Sequence, residues 1–220
     1  MQDMAPQRLR WIAIVLVVVL AGAASMFVPA IRTQVLRAAG RTLVITNAPA
    51  EPADIIVVAI DADGAGVLEA ADLVHEGVAT RVAVFADPPD PKDREFIRRG
   101  VPYEDRAARS IQQLKALGIE GTEQIPIAVA GTEDEGRVLP DWCDRRGFRS
   151  VVIVSLSDHS RRLRRVLHRS MKGRRTIVTV RSARYSAFNA DRWWATRDGI
   201  RSGIVELEKL ILDFVRHPVS

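Results

Sequence analysis

Five short runs rich in apolar and β-branched residues punctuate this chain, at Asp54–Ile60, Arg81–Ala86, Ile125–Val129, Val151–Val154 and Thr176–Val180. Such runs fit strands buried on both faces. Between them the apolar positions change to a helical period. Leu163, Val166, Leu167 and Met171 fall on one side of a segment that starts near Ser160, as in a helix resting on a sheet. Helices are predicted over Val67–Glu76, Lys92–Arg99 and Asp105–Leu117, each closed by a glycine at 77, 100 or 118. Glycine suits those stops because it tolerates the left-handed conformation. Another helix begins at Thr132, where Glu133, Asp134 and Glu135 complement the positive end of the helix dipole. A long helix covers Trp193–Arg216. Strands alternating with helices predict an α/β three-layer sandwich with a mostly parallel sheet.

The N-terminal pattern is different. Trp11 to Ile31 holds no charged residue, and as a helix it would span about 30 Å, the thickness of a bilayer core. It has no polar face to meet water, so the expectation is one transmembrane helix in contact with the lipid bilayer. A cleaved signal peptide is the competing reading, with small-residue sites at Ala21–Ser25 or Val28–Ala30. The apolar core is long for a signal, which favours the retained anchor. Arg8 and Arg10 precede it and Arg32, Arg37 and Arg41 follow, so charge does not set its orientation. The chain divides into a flank at 1–10, an anchor at 11–31, a connector at 32–53 and one α/β domain at 54–220. In the connector a short helix around Val35–Ala39 and a short strand at Leu43–Thr46 are predicted.

Composition narrows the chemistry. The net charge of +5 comes from arginines spread among acids, without a long basic tract. That is compatible with anionic partners such as lipid headgroups or phosphates. No motif for nucleic acid is present. The single cysteine, Cys143, allows no intrachain disulfide and no thiolate metal site. The four histidines, His75, His159, His168 and His217, show no metal-ligand spacing, and no metal centre is predicted.

Candidate chemistry centres on the loop after Val154. In open parallel sheets, ligands sit outside the carboxyl ends of strands, near a helix N-terminus. The loop and first turn there carry Ser155, Ser157, Asp158, His159 and Arg162. His159 and Arg162, three positions apart on one helix face, could reach one ligand. The arginine would hold a phosphate or carboxylate, and the histidine would act as acid or base near neutral pH. Ser157 or Asp158 reads as an N-cap. No GxSxG elbow surrounds Ser155. Gly64-Ala65-Gly66 resembles a phosphate turn, but Glu69 stands where GxGxxG needs its third glycine. Asp61 and Asp63 at a strand end offer hard oxygens to Mg²⁺; a solvated loop is the simpler reading.

Several blocks, in order, resemble the YdcF-like family, which includes the SanA and ElyC envelope proteins and carries a domain of formally unknown function. They are the strand at Ala53–Val58, Leu68–Leu73 with Glu76–Ala79, Gly100-Val101-Pro102 and Gly131-Thr132 followed by Glu135. Ser157–Arg162 and Trp193-Trp194 near Arg201 and Glu206 complete the series. The resemblance covers Asp54 to the C-terminus and is most specific at His159 and Arg162. It implies a Rossmann-like domain behind one anchor in the cytoplasmic membrane, with the domain extracytoplasmic. It also implies a role in envelope integrity or lipid-carrier metabolism, and a polar cluster of Thr132, Glu135, His159 and Arg162 at the sheet's carboxyl edge. S-adenosylmethionine binding is associated with a cytoplasmic relative; no cofactor is otherwise indicated. The family's glycine-rich turns after the first two strands are replaced here by Asp61–Gly66 and Ala86–Pro89.

Overall fold

The computed structural model describes residues 27–47, 51–103 and 105–218. The expected anchor at 11–31 lies outside the described residues except for its last five. There Phe27 and Val28 form a turn that leads into α1, Pro29–Leu43. Among the described residues no helix is long and apolar enough to cross a membrane.

Five parallel strands form one sheet. They are β1 (Ile55–Val58), β2 (Val82–Val84), β3 (Thr122–Gln124), β4 (Ser150–Ser155) and β5 (Ile177–Ser182), in the spatial order β3-β2-β1-β4-β5. The register places Ile55 beside Val151 and Val58 beside Val154 at the centre. All four residues of β1 and all but the first of β4 are buried, as their near-continuous apolar sequences require. The chain leaves β1 outward to β2 and β3, then crosses back to β4 and β5. The order therefore reverses between β1 and β4, consistent with a Rossmann-like α/β fold.

The connecting helices are α2 (Asp63–His75), α3 (Pro91–Arg98), α4 (Arg106–Ala116), α5 (Thr132–Arg146) and α6 (Ser160–Ser170). Right-handed crossovers with this strand order put the helices of the two halves on opposite faces. Accordingly α2 packs on α4, and α5 packs on α6. The last pair is close because Gly136 faces Val166: a Cβ on the glycine would lie 2.6 Å from Val166 Cγ1. A 3₁₀ turn, Trp193–Ala195, precedes α7, Arg197–Arg216. Trp193 is buried between α1 and α7, over Gly203, and its indole donates to Leu36 O at 2.7 Å.

Several predicted boundaries move for identifiable reasons. The short helix expected inside the connector is a 15-residue helix that begins at Pro29 and packs on α7. No strand forms at 43–46; Leu43 closes α1, and Ile45 N–H donates to Ser160 Oγ instead. The helix expected from Val67 begins at Asp63, so Gly64-Ala65-Gly66 is helical rather than a phosphate turn. Gly66 allows this, since its Cβ would fall 2.4 Å from Ala62 Cβ. The strand expected at Ile125–Val129 is displaced to polar Thr122-Glu123-Gln124 on the sheet edge. Pro126, which has no N–H to donate, interrupts the apolar run. The glycine stops hold, with φ of 81°, 77° and 83° at Gly77, Gly100 and Gly118. The N-cap of α6 is His159, without a side-chain cap, rather than Ser157 or Asp158.

Candidate functional site

The reversal between β1 and β4 gathers polar groups from four parts of the chain. Asp61 follows β1, Thr132 and Glu135 start α5, His159 and Arg162 follow β4, and Glu206 reaches in from α7. His159 is buried at the centre, 2 % exposed. Its Nε2 lies 2.8 Å from Thr132 Oγ1 and 3.2 Å from Asp61 Oδ2. Its Nδ1 lies 3.1 Å from Glu206 Oε2 and 2.9 Å from Arg162 Nη2.

Each ring nitrogen thus has one donor and one acceptor beside it. With the proton on Nδ1, the ring donates to Glu206 and accepts the Thr132 hydroxyl at Nε2. With the proton on Nε2, it donates to Asp61 and accepts from the Arg162 guanidinium. Both tautomers are satisfied. A proton can change sides without leaving a buried nitrogen unpaired, which is what an acid–base group requires.

The carboxylates around the ring are unequal. Glu206 also accepts from Arg162 Nε at 3.0 Å and Lys209 Nζ at 2.7 Å. Burial opposes its charge, but the hydrogen bonds from His159 and Arg162 outweigh that and hold its carboxyl well below the usual range. Glu135 is fully buried and, among the described residues, accepts only the Ile60 N–H, at 2.8 Å through Oε1. Burial, together with the nearby Asp61 charge, raises it to about 7. Its Oε2 and the buried Oδ1 of Asp61 have no hydrogen-bond partner among the described residues.

Two of the cavities that adjoin this cluster share Asp61 in their lining. One, of about 410 Å³, is bounded by Asp61, Asp87, Arg106, Thr132, Arg162 and Lys209. The other, of about 830 Å³, reaches His159, Asp158, Glu206, Arg201 and Ser202 beside α7. The first presents three cations: Arg106, Arg162 and Lys209. All three also touch acids, since Arg106 Nε lies 3.2 Å from Asp87 and the other two share Glu206. No hydrogen bond among the described residues uses Arg162 Nη1.

The predicted residues divide cleanly. Thr132, Glu135, His159, Arg162 and Asp61 are brought together. Asp158 is buried nearby and lines the second cavity; burial pushes its carboxyl up, against a hydrogen bond from Ser202. Ser157 turns toward the end of β5, where its hydroxyl meets Ser182 Oγ at 3.0 Å and Ala183 O at 3.4 Å. Gly64 sits exposed on the first turn of α2 and lines neither cavity. Glu69 serves packing: fully buried, it binds Arg181 at 2.8 Å and Arg184 at 2.9 Å. Cys143 is buried, and burial raises its thiol to about 12, out of reach of nucleophilic use at neutral pH.

Sequence reasoning missed Asp87, Arg106 and Lys209, and reached Glu206 only through the family resemblance. Lys209 carries one local signal, its i,i+3 position from Glu206; Arg106 and Asp87 carry none. Compared with family models, curated proteins and solved structures, the chain matches none.

Proposed function

We propose that the cavity between β1 and β4 binds a phosphate-bearing anionic ligand, with the Asp61–Glu135–His159 group as its reactive end. The observation that carries this reading is the placement of a doubly partnered buried histidine at the strand-order reversal, beside a cavity with three cations. Arg162 Nη1, Arg106 and Lys209 meet the anion, as guanidinium and ammonium groups do with phosphate. Reaction at a phosphate ester, by hydrolysis or transfer, is the chemistry that best uses these groups.

The likeness to YdcF-like, SanA and ElyC proteins supports an envelope precursor, such as an isoprenyl phosphate, as the ligand. The uncharged stretch at 11–31 supports attachment to the cytoplasmic membrane as a single-pass protein, with the domain outside. A reporter fused at Ser220 is expected to read as external; a cytoplasmic reading would overturn this orientation.

A second reading has its own support. The three cavity cations are already balanced by Asp87 and Glu206, as in a self-satisfied, non-catalytic pocket of an envelope-integrity factor. Thermal melting of the full chain, in chelator and again with added divalent metal, separates the two, against isoprenyl phosphates, sugar nucleotides, S-adenosylmethionine and inorganic phosphate. A ligand at a hundredfold excess over Kd stabilises by about 2.7 kcal/mol. The phosphate reading expects such a shift with an isoprenyl phosphate; no shift with any compound supports the non-catalytic pocket. A shift with S-adenosylmethionine alone would make this a methyl-donor binder.

A further inference from the structure

We propose that Asp61, Glu135 and His159 form a binding site for one divalent transition-metal ion. This deepens the phosphate reading by naming what charges its reactive end, but it stands on the three residues alone.

Geometry is the first argument. One ligand atom from each residue can be chosen so that all lie within 4.8 Å of one another. The separation of His159 Nε2 from Asp61 Oδ2 is 3.2 Å. Ligands at about 2.1 Å from an ion lie roughly 3.0 Å apart at a right angle and about 3.5 Å apart in a tetrahedron. The His159–Asp61 spacing falls between these values.

Unmet valence is the second. Glu135 is 0 % exposed, yet its Oε2 has no partner among the described residues. A buried carboxylate oxygen left unpaired is costly, and a cation satisfies it. The neighbouring positive charges do not do so. Arg162 is bonded to Glu206 and His159, and Lys209 to Glu206.

Support for the ligands is the third. Ile60 N–H fixes Glu135 through Oε1 and leaves Oε2 to the ion. Glu206 lies against His159 Nδ1 at 3.1 Å. A carboxylate there supports the tautomer whose Nε2 can coordinate, an arrangement common behind metal-bound histidines, while Arg162 Nη2, 2.9 Å from the same Nδ1, supports the other; a metal ion on Nε2 selects the first. Thr132 Oγ1 shares that nitrogen at 2.8 Å, so coordination gives up one neutral hydrogen bond. One imidazole nitrogen with carboxylate oxygens suits Mn²⁺, Fe²⁺ or Zn²⁺ better than Ca²⁺ or Mg²⁺, which take oxygen alone. Three protein ligands leave open positions, and Asp61 faces the cavity where a phosphate oxygen would complete the shell.

The test is titration of the chelator-stripped full chain with Mn²⁺ alone and Zn²⁺ alone, followed by calorimetry and, for Mn²⁺, electron paramagnetic resonance. One equivalent is expected to bind. Asp61→Asn and Glu135→Gln should each weaken binding at least tenfold, and His159→Ala should remove the nitrogen coupling from the Mn²⁺ spectrum. Asp63→Asn, two residues from Asp61 and outside the trio, should bind as wild type does. Asp61 is part-exposed and, among the described residues, its side chain is tied to the fold only through His159, so its variant tests the site even if Glu135→Gln unfolds. Absence of stoichiometric binding by wild type, or equal affinity in Asp61→Asn, overturns the proposal. Metal binding without any isoprenyl phosphate shift defeats the phosphate reading alone. An isoprenyl phosphate shift in chelator without metal binding defeats this inference alone.

Discussion

Glu206 Oε2 lies 3.1 Å from His159 Nδ1 and so ties the C-terminal helix to the loop after β4. The same oxygen accepts from Arg162 Nε at 3.0 Å. One carboxylate from α7 therefore sets the orientation of both residues that the sequence marks most strongly.

Breaking this triad leaves charge uncompensated. With Glu206 replaced by alanine, Arg162 keeps its charge in a site where its side chain is only 13 % exposed. Removing one member of such a buried pair typically costs about 3 kcal/mol or more. Urea unfolding of Glu206→Ala is expected to show that loss, while the exposed-pair variant Arg98→Ala leaves the midpoint unchanged. Glu206→Ala combined with Arg162→Ala should lose less than the sum of the two single variants.

Acid should weaken the fold through Glu69. Burial raises its carboxyl, but hydrogen bonds from Arg181 and Arg184 outweigh this and leave it below the ordinary glutamate value. A carboxyl depressed in the folded state adds stability above its unfolded pKa and loses it as pH falls through the folded one. Unfolding midpoints measured from pH 7 to pH 3 should fall in wild type. Glu69→Gln should be less stable at pH 7 and show a shallower decline.

Two glycines should respond in opposite directions to alanine. At Gly203 the new Cβ would lie 2.5 Å from Trp193 Cε3, a ring wedged between α1 and α7. Overpacking of this kind costs about 1–3 kcal/mol. At Gly64 nothing lies within 4 Å and the backbone is helical, so alanine should raise stability by up to about 1 kcal/mol through helix propensity. Melting temperatures of the two variants check both signs.

The centre of the sheet was legible because Val151–Val154 is an uninterrupted β-branched run, and the chemistry after it follows from where ligands sit in parallel sheets. His159 and Arg162 were found that way. The joining of Asp61 and Glu135 to His159 was not legible from spacing, since it takes the pairing of β1 with β4 and the packing of α5 on α6 to bring those segments together. The connector helix was under-read because its arginines hide its contacts: Gly40 and Leu43 are buried, while most of its surface is polar or exposed. At Asp63–Gly66 three small residues suggested a turn, but they form the first turn of α2, where Gly66 leaves room that a Cβ would take from Ala62 and Val58. The polar edge strand β3 was missed because its pairing with Val82–Val84 leaves no apolar alternation to read.

The central claim, a phosphate-binding cavity between β1 and β4, is tested most directly by calorimetric titration of the full chain with an isoprenyl monophosphate. Wild type is compared with Arg106→Ala and Lys209→Ala, whose side chains are 56 % and 48 % exposed and contribute little to folding. The account predicts saturable binding at one site, weakened about tenfold or more in each variant. Binding that does not saturate, or equal affinity in all three proteins, would contradict it.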